Sequence, residues 1–375
     1  MSEKIKLGEI IDTIQGSQYP LDEQITEYKE GYLRFLRISD YTKSDEPIRY
    51  VKYSGKELVC EENEVVVVRY GNVGFIGYGK KGILANNLFV LRLKNEKFDS
   101  KYLYYYLNSP NINNAIVNKA NSSTMPALTH KMIKDLEIPI VDIEKQKCIV
   151  NELDKIQKII DIREEQIEYF DELIKSQFVE MFQCGNYPKD ELGKLCDVRD
   201  GTHDSPKYLE ESEYKFITSK NIVNNEIDFS EAKYISKQDY DKFNTRSKVN
   251  YGDILMPMIG TIGKPIIVNI PDEKIDFAIK NVALIKFLEN SKVTNIYIKN
   301  LFDSDYFENA ISQNKRGGTQ KFIALSDIRK LEIEIPPIEL QNKFAEFVKQ
   351  IDKQKFESEI ELRKIQKNIF YKWGR

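Results

Sequence analysis

Residues 315–321 read Lys-Arg-Gly-Gly-Thr-Gln-Lys. Two glycines let a backbone approach a surface closely, and cations and a glutamine stand beside them. That set suits hydrogen bonding and charge contact with a polar ligand. Taken alone, it also describes a solvated surface turn.

Bond-breaking chemistry is poorly represented elsewhere. Gly260-Thr261-Ile262-Gly263-Lys264-Pro265 lacks the glycine spacing of a Walker loop and has Pro where Ser or Thr would hold magnesium. No Asn/Asp-Pro-Pro-Tyr/Phe run of a methyltransferase is present, and Pro271-Asp272 has no spaced downstream acid-x-lysine of a metal nuclease. The cysteines at 60, 148, 184 and 196 form no C-x-x-C pair, and the only histidines are His130 and His203. A structural zinc site needs its ligands clustered at short spacings, so none is expected. With two histidines no Ser/His/Asp order is persuasive. Scattered free thiols fit a reducing compartment.

These groups must be held by a chain of 375 residues, long enough for two domains of about 150 residues with connectors. A net charge of −3 is unlike the basic balance common in nucleic-acid binders. DNA responds to the local patch rather than the sum, so the class stays open. No apolar run nears the roughly 20 residues of a membrane span. The start, MSEKIKLGEI, has no signal-peptide core. A cytoplasmic location is expected.

The chain is similar to itself. LGEIIDTIQGS (7–17) matches LGKLCDVRDGT (192–202) at Leu7/Leu192, Gly8/Gly193, Asp12/Asp197 and Gly16/Gly201. FLRISDY (35–41) sits over FITSKNI (216–222), and Gly71 and Gly74 sit over Gly260 and Gly263. NLFVL (87–91) sits over NVALI (281–285). From Tyr102/Tyr297 to Gln146/Gln341 the match runs without a gap, and it places ANSSTMP over KRGGTQK. A period near 190 residues is too long for a solenoid. It is a duplicated unit of domain plus helix. Shared glycines then read as shared turns, including those of the false phosphate loop.

The first part of each repeat is β-rich, as in Val65–Val68, with amphipathic helices near 101–119 and 296–314. Each is read as an α+β domain. The last part is a long helix. Leu153, Ile156, Ile160, Ile167, Phe170, Ile174 and Met181 recur at heptad steps, with Arg163 and Gln177 in the missing seam positions. Phe344, Val348, Ile351, Leu362, Ile365, Ile369 and Trp373 repeat the pattern, with Lys355 and Ser358 interrupting it. At 1.5 Å per residue each helix spans roughly 50–60 Å and needs a partner. The other helix, packed antiparallel, is the simplest. Phe347, Phe356, Ile360 and Phe370 widen the apolar stripe beyond a two-helix seam.

PPIELQ (336–341) stands directly before the second helix, and IPIVDIEKQ (138–146) before the first keeps Pro139, Ile143, Glu144 and Gln146. Proline fixes an extended lead-in and an early acid favours the helix dipole. Repeated at this spacing, the motif resembles the signature that precedes the conserved helices of Type I restriction-modification DNA-specificity subunits. The first copy departs by lacking the double proline. The resemblance covers nearly the whole chain. It implies two α+β target-recognition domains (1–143 and 185–338), each followed by a conserved helix (144–184 and 339–375), the helices forming an antiparallel coiled coil. It implies a non-catalytic reader of a split, asymmetric double-stranded DNA site. Two methylation subunits would be partners, with two restriction subunits in the restricting complex. S-adenosylmethionine, ATP and magnesium would serve those partners; no cofactor or metal is expected in this chain. The helices would set the unread gap between half-sites.

Base reading needs Arg, Lys, Asn, Gln, Ser or Thr reaching groove edges, whereas phosphate contacts only position the protein. In the first domain the candidates are Arg34, Arg37, Arg69, Asn72, Asn86, Asn121, Ser122, Ser123 and Thr124, with Tyr19, Tyr41 and Tyr70 in support. In the second they are Ser219, Lys220, Asn221, Thr261, Lys280, Lys315, Arg316, Thr319, Gln320 and Lys321. His203 stands near this group and reads as incidental. The competing reading is a coiled-coil spacer or protein-binding scaffold without sequence-specific DNA binding. It accounts for the helices but not for the matched polar positions.

Overall fold

The computed structural model describes residues 3–42, 45–55, 59–121, 126–183, 185–223, 225–259, 263–304, 307 and 322–373, with side chains of the last helix described to residue 367. The chain divides into two units. Met1–Glu164 with Glu359–Arg375 make the first, and Glu165–Ser358 the second. Among the described residues no helix is long and apolar enough to cross a membrane.

In the first unit, β1 (Lys4–Lys6), α1 (Leu7–Ile10) and β2 (Ile11–Gln15) open the chain. There follow β3 (Tyr32–Leu36), β4 (Arg49–Lys52), β5 (Val59–Cys60), β6 (Val65–Val68), β7 (Ile76–Tyr78), β8 (Gly82–Leu84) and β9 (Leu88–Leu93). Two sheets result, in the orders β2-β9-β6-β7 and β4-β3-β8-β5. The four valines of β6 are all buried because both faces of the strand are covered. Val65 and Val67 join the core that holds Leu103, Leu107 and Ile116. Val66 and Val68 point the other way, into a core with Leu36, Cys60 and Leu84. The helices on the first face are α2 (Ser100–Asn108), α3 (Pro110–Ala120) and α4 (His130–Lys134). Strand β10 (Glu137–Pro139) returns to pair antiparallel with β1. The long helix α5 (Ile143–Phe178) follows and ends in a π turn, Val179–Gln183.

The second unit repeats the plan. It has β11 (Lys189–Glu191), α6 (Leu192–Leu195), β12 (Asp197–Asp200), β13 (Tyr214–Thr218), β14 (Ile222–Val223), β15 (Glu226–Ile227) and β16 (Lys233–Ile235). Then come α7 (Lys237–Ser247), β17 (Ile254–Pro257), β18 (Ile266–Ile267), β19 (Phe277–Lys280) and β20 (Val282–Lys286). Next are α8 (Asn295–Phe302), α9 (Leu325–Arg329), β21 (Glu332–Glu334) and the long helix α10 (Ile338–Trp373). The sheets run β12-β20-β17-β18 and β16-β13-β19. The first has the connectivity of β2-β9-β6-β7, and β11 pairs with β21 as β1 pairs with β10.

The duplication reaches single hydrogen bonds. Gly16 N–H donates to Leu88 O and Gly201 N–H to Val282 O. A Cβ at Gly16 would lie 2.2 Å from Ala85 O, and at Gly201 2.3 Å from Ile279 O, so neither tolerates a side chain. Asp99 caps α2 by accepting from Tyr102 N–H, and Thr294 caps α8 by accepting from Tyr297 N–H. Gln146 is fully buried; its Oε1 accepts from Asp99 N–H at 2.8 Å, and its Nε2 donates to Lys97 O and Val141 O. Gln341, equally buried, accepts from Thr294 N–H at 2.8 Å and donates to Lys292 O and Pro336 O. Each glutamine thus ties the first turn of a long helix to the cap of a domain helix. That is the physical meaning of the glutamine in the repeated motif.

The long helices pair within each unit. In the second, Ile174 and Phe178 share a core with Phe344, Val348 and Ile351, and Lys355 Nζ donates to Asp171 at 2.6 Å. Partner numbers fall along α10 as they rise along α5, so the segments run antiparallel. In the first unit Arg163 meets Glu361 at 2.8 Å. Leu153 and Ile160 are buried, while Ile156, Ile167, Phe170, Leu362 and Ile365 are half-buried. The side chain of Ile369 lies outside the described residues. The heptad expectation passes from Ile174 to Met181. The structure instead buries Phe178 and Phe182 on Tyr297 and Phe344, with Met181 only partly covered. The π turn shifts the face presented at the helix end. Phe356 remains exposed.

Candidate nucleic-acid interface

Each domain carries a polar face where the first strand of its β2-type sheet ends. In the first domain β2 ends at Gln15, and its Nε2 donates to Asn86 O and to Leu88 O, the latter at 3.2 Å. Gln15 Oε1 lies 3.0 Å from His130 Nε2. Burial pushes the pKa of His130 down, and the charges of Arg69 and Lys134 push it the same way, which favours the neutral ring. Asn86 Nδ2 donates to Gln18 Oε1 at 3.3 Å, and Tyr70 O–H donates to Asn86 Oδ1 at 3.3 Å. Arg69, Tyr70 and Asn72 are exposed on the β6–β7 turn, whose Gly71 and Gly74 have φ of 96° and 93°. A shallow concavity of about 560 Å³ beside the turn is lined by Asn72, Val73, Gly74, Asn108, Asn113 and Asn114. Asn121 is exposed at the end of α3. Arg69, Tyr70, Asn72 and Asn86 are therefore brought together.

Arg34 and Arg37 are held differently. Arg34 Nη2 donates to Asp40 Oδ1 at 2.9 Å and Arg37 Nε to Asp40 Oδ2 at 3.1 Å. Arg37 also donates to Glu46 at 2.7 Å and to Pro47 O at 2.8 Å, and its side chain is only 15% exposed. It pins the turn Ile38–Asp40. Tyr41 is half-buried with its ring against Gly77, where an added Cβ would collide with it. Burial drives its pKa well up, and its hydroxyl has no hydrogen-bond partner among the described residues. Tyr19 packs edge-on to Phe35. These rings support the scaffold.

In the second domain Asn221 occupies the place of Asp40. Its Oδ1 accepts from Thr218 N–H at 3.0 Å as Asp40 accepts from Arg37 N–H at 3.0 Å, and it is 5% exposed. Ser219 Oγ donates to Asn281 O at 2.9 Å. Asn221 and Ser219 are thus turn-building residues, while Lys220 is exposed. Lys280 Nζ donates to Ser205 Oγ at 2.7 Å. His203, which sequence reasoning set aside, sits in the middle of the face. Its Nε2 lies 2.9 Å from Asp200 Oδ2 and its Nδ1 3.0 Å from Asn281 Oδ1. Asn281 has a left-handed φ of 54°, uncommon for a residue other than glycine. Arg246 Nη2 donates to Asp200 Oδ1, and Lys242 Nζ to Asp204 at 2.8 Å. The signal for His203 was its place in the repeat: two residues after Gly201, as Gln18 follows Gly16. Ser122, Ser123, Thr124, Thr261, Lys315, Arg316, Thr319, Gln320 and Lys321 lie outside the described residues.

Gln15 and Asp200, Gln18 and His203, and Asn86 and Lys280 occupy matched places on one backbone frame, which Gly16 and Gly201 pin identically. The family model for the Type I restriction modification DNA specificity domain matches residues 2–169 and again 186–367. The chain belongs to this family. Among its relatives is the Type I restriction enzyme MjaVIII specificity subunit of Methanocaldococcus jannaschii, 26% identical over 93% of this chain and 86% of that one. The EcoBI specificity subunit of Escherichia coli is 20% identical over 93% of this chain and 78% of that one. The fold is that of the Type I restriction-modification S subunit from M. genitalium, with a TM-score of 0.55 at 16% identity, covering 99% of this chain and 95% of that one. A chain from a structure of complex assembly and conformational transition in the type I R-M system gives 0.57 at 17% identity, covering 100% and 97%. As a member of this family the chain is a DNA-specificity component of a restriction-modification system, built from two copies of the specificity domain.

Proposed function

We propose that the chain is a non-catalytic reader of a bipartite, asymmetric duplex DNA site. Each domain reads one half-site and directs adenine methylation, and restriction where restriction subunits are present, by partner subunits. One observation carries this reading: at matched places on a shared frame, one domain presents the neutral amides Gln18 and Asn86 beside Gln15, and the other presents His203 and Lys280 beside the buried carboxylate of Asp200. A frame kept constant while its outward side chains change in hydrogen-bonding type is what two different base preferences require.

The proposed parts are recognition domains at 1–143 and 185–338, with helices at 144–184 and 339–375 that join them and meet two methylation subunits. Two restriction subunits complete the restricting complex, and the setting is the cytoplasm. S-adenosylmethionine, ATP and magnesium act in those partners. Of the described residues singled out by type, Arg69, Asn72, Asn86 and Asn121 in the first domain and Lys220 and Lys280 in the second are the proposed contacts, together with the candidates at 122–124, 261, 315, 316 and 319–321 that lie outside the described residues. Arg37 and Asn221 are proposed to shape the face.

Binding to duplex DNA at rising salt, with specific and scrambled sequences compared, separates the reader from a protein-binding scaffold. The reader shows affinity that falls steeply with salt and a preference for one sequence. Equal binding to all sequences overturns it.

A further inference from the structure

Among the described residues, the second domain has an element without a counterpart in the first. After β4 the first domain continues through residues 53–64 and forms β5, which pairs with β8. After β16 the second domain forms α7 in its place, with Ser236 accepting from Asp239 N–H as its cap. Phe243 packs α7 into a core with Phe216, Ile235 and Ala278, against the sheet holding β19. The last turn of α7 thereby reaches the end of β12, where Arg199 Nη1 donates to Arg246 O at 2.8 Å.

There one buried carboxylate holds two exposed side chains. The Asp200 side chain is 10% exposed, whereas those of Arg246 and His203 are 66% and 65% exposed. Oδ1 takes Arg246 and Oδ2 faces His203. The bond to Asp200 uses Nη2; among the described residues Nε and Nη1 of Arg246 make no hydrogen bond. A guanidinium has five N–H donors in a fixed fork, so most remain available. The carboxylate also neutralises its charge. That weakens it as a phosphate clamp while keeping it as an oriented donor, and oriented donors are what base edges discriminate. The matched residue in the first domain, Gln15, holds a histidine and two carbonyls instead and presents no cation.

We propose that Arg246 reads a base edge in the half-site of the second domain, with guanine as its expected partner, and that Asp200 is the residue that positions it. This deepens the DNA-reader proposal and rests on it. His203, on the other carboxylate oxygen, links Asp200 to Asn281.

The test uses the full chain with its methylation subunit and a randomised double-stranded DNA library, with bound sequences read out and affinities measured against salt. The unsubstituted chain is expected to select a split motif. Failure to select any sequence overturns the functional reading and this inference with it. Arg246→Ala and Arg246→Lys are expected to leave the first half-site unchanged, lose a guanine preference in the second, and bind the original site about tenfold or more weakly. Arg246→Lys keeps a cation beside Asp200 and so preserves the fold even if Arg246→Ala does not. Asp200→Asn leaves an unneutralised guanidinium: the same preference is lost, and salt dependence steepens by about one ion. Two results overturn the inference while leaving the reader standing. One is a second half-site unchanged in both Arg246 variants. The other is uniform weakening across sequences with a shallower salt slope, the mark of a phosphate contact.

Discussion

The two domains agree where the backbone is built and differ where it ends. Gly16 and Gly201 admit a neighbouring strand at distances no side chain allows, and Gln146 and Gln341 make the same three hydrogen bonds. At Gln15, Gln18 and Asn86 one copy has amides, and at the same places the other has an acid, a histidine and a lysine, with an arginine brought up by α7. The difference teaches that duplication fixed a frame whose strand ends are free to vary. Ion pairs on buried acids follow the same division. Glu64 with Arg92 and Asp253 with Lys286 keep the pairing but change both members.

Breaking the shared part should hurt both units alike. Gln341→Leu strands a backbone N–H and two carbonyls in a dry site, at about 1–3 kcal/mol for each group left unpaired. Gln146→Leu is expected to match it, each read by faster amide hydrogen exchange in its own unit. Unequal losses would mean that the two anchors are not equivalent. Gly201→Ala and Gly16→Ala come next, at about 1–3 kcal/mol of overpacking strain. Denaturant unfolding with exchange resolved to each unit checks this.

The smallest expected effect separates the units. Asp154 accepts from Lys101 Nζ at 2.8 Å and Tyr105 O–H at 2.6 Å, whereas the matched places in the second domain hold Lys349, Ile296 and Asn300. Burial tends to raise the Asp154 pKa, but the bonds from Lys101 and Tyr105 outweigh it and the value is lowered. A depressed carboxylate stabilises above its unfolded pKa, and that contribution is lost as pH falls through the folded value. Asp154→Asn should therefore cost the first unit under about 1 kcal/mol at neutral pH, given its partial exposure. The difference should begin to shrink as pH falls below about 4 and vanish only once pH is below the lowered folded value. In the second unit, burial raises the pKa of Asp253, and Lys286 offsets this only in part. Its penalty for ionisation disappears as pH falls below the unfolded value. Acid titration of exchange in each unit should show opposite contributions.

Most of the frame was legible in the sequence because it rests on residues with few alternatives. A glycine under a carbonyl, a glutamine before a heptad helix and a run of valines between two cores each leave a periodic or repeated trace. The face was legible only in part. Arg37 and Asn221 have the residue types of base readers, yet both serve the turn at 38–40 and its counterpart at 219–221. The third-residue spacing of Arg37 to Asp40 and Thr218 to Asn221 is a local capping signal that residue type alone conceals. Asp200 and Arg246 are 46 residues apart and meet only because α7 takes the place of β5. No single-sequence pattern records that substitution of a helix for a strand.

The most direct test is a map of N6-methyladenine in host DNA after co-expression of the chain with its methylation subunit, repeated with residues 1–146 replaced by another such domain. Two unlike readers on one chain predict a split, asymmetric motif in which the replacement changes one half and leaves the other intact. A palindromic or continuous motif, or a replacement that alters both halves, would contradict it.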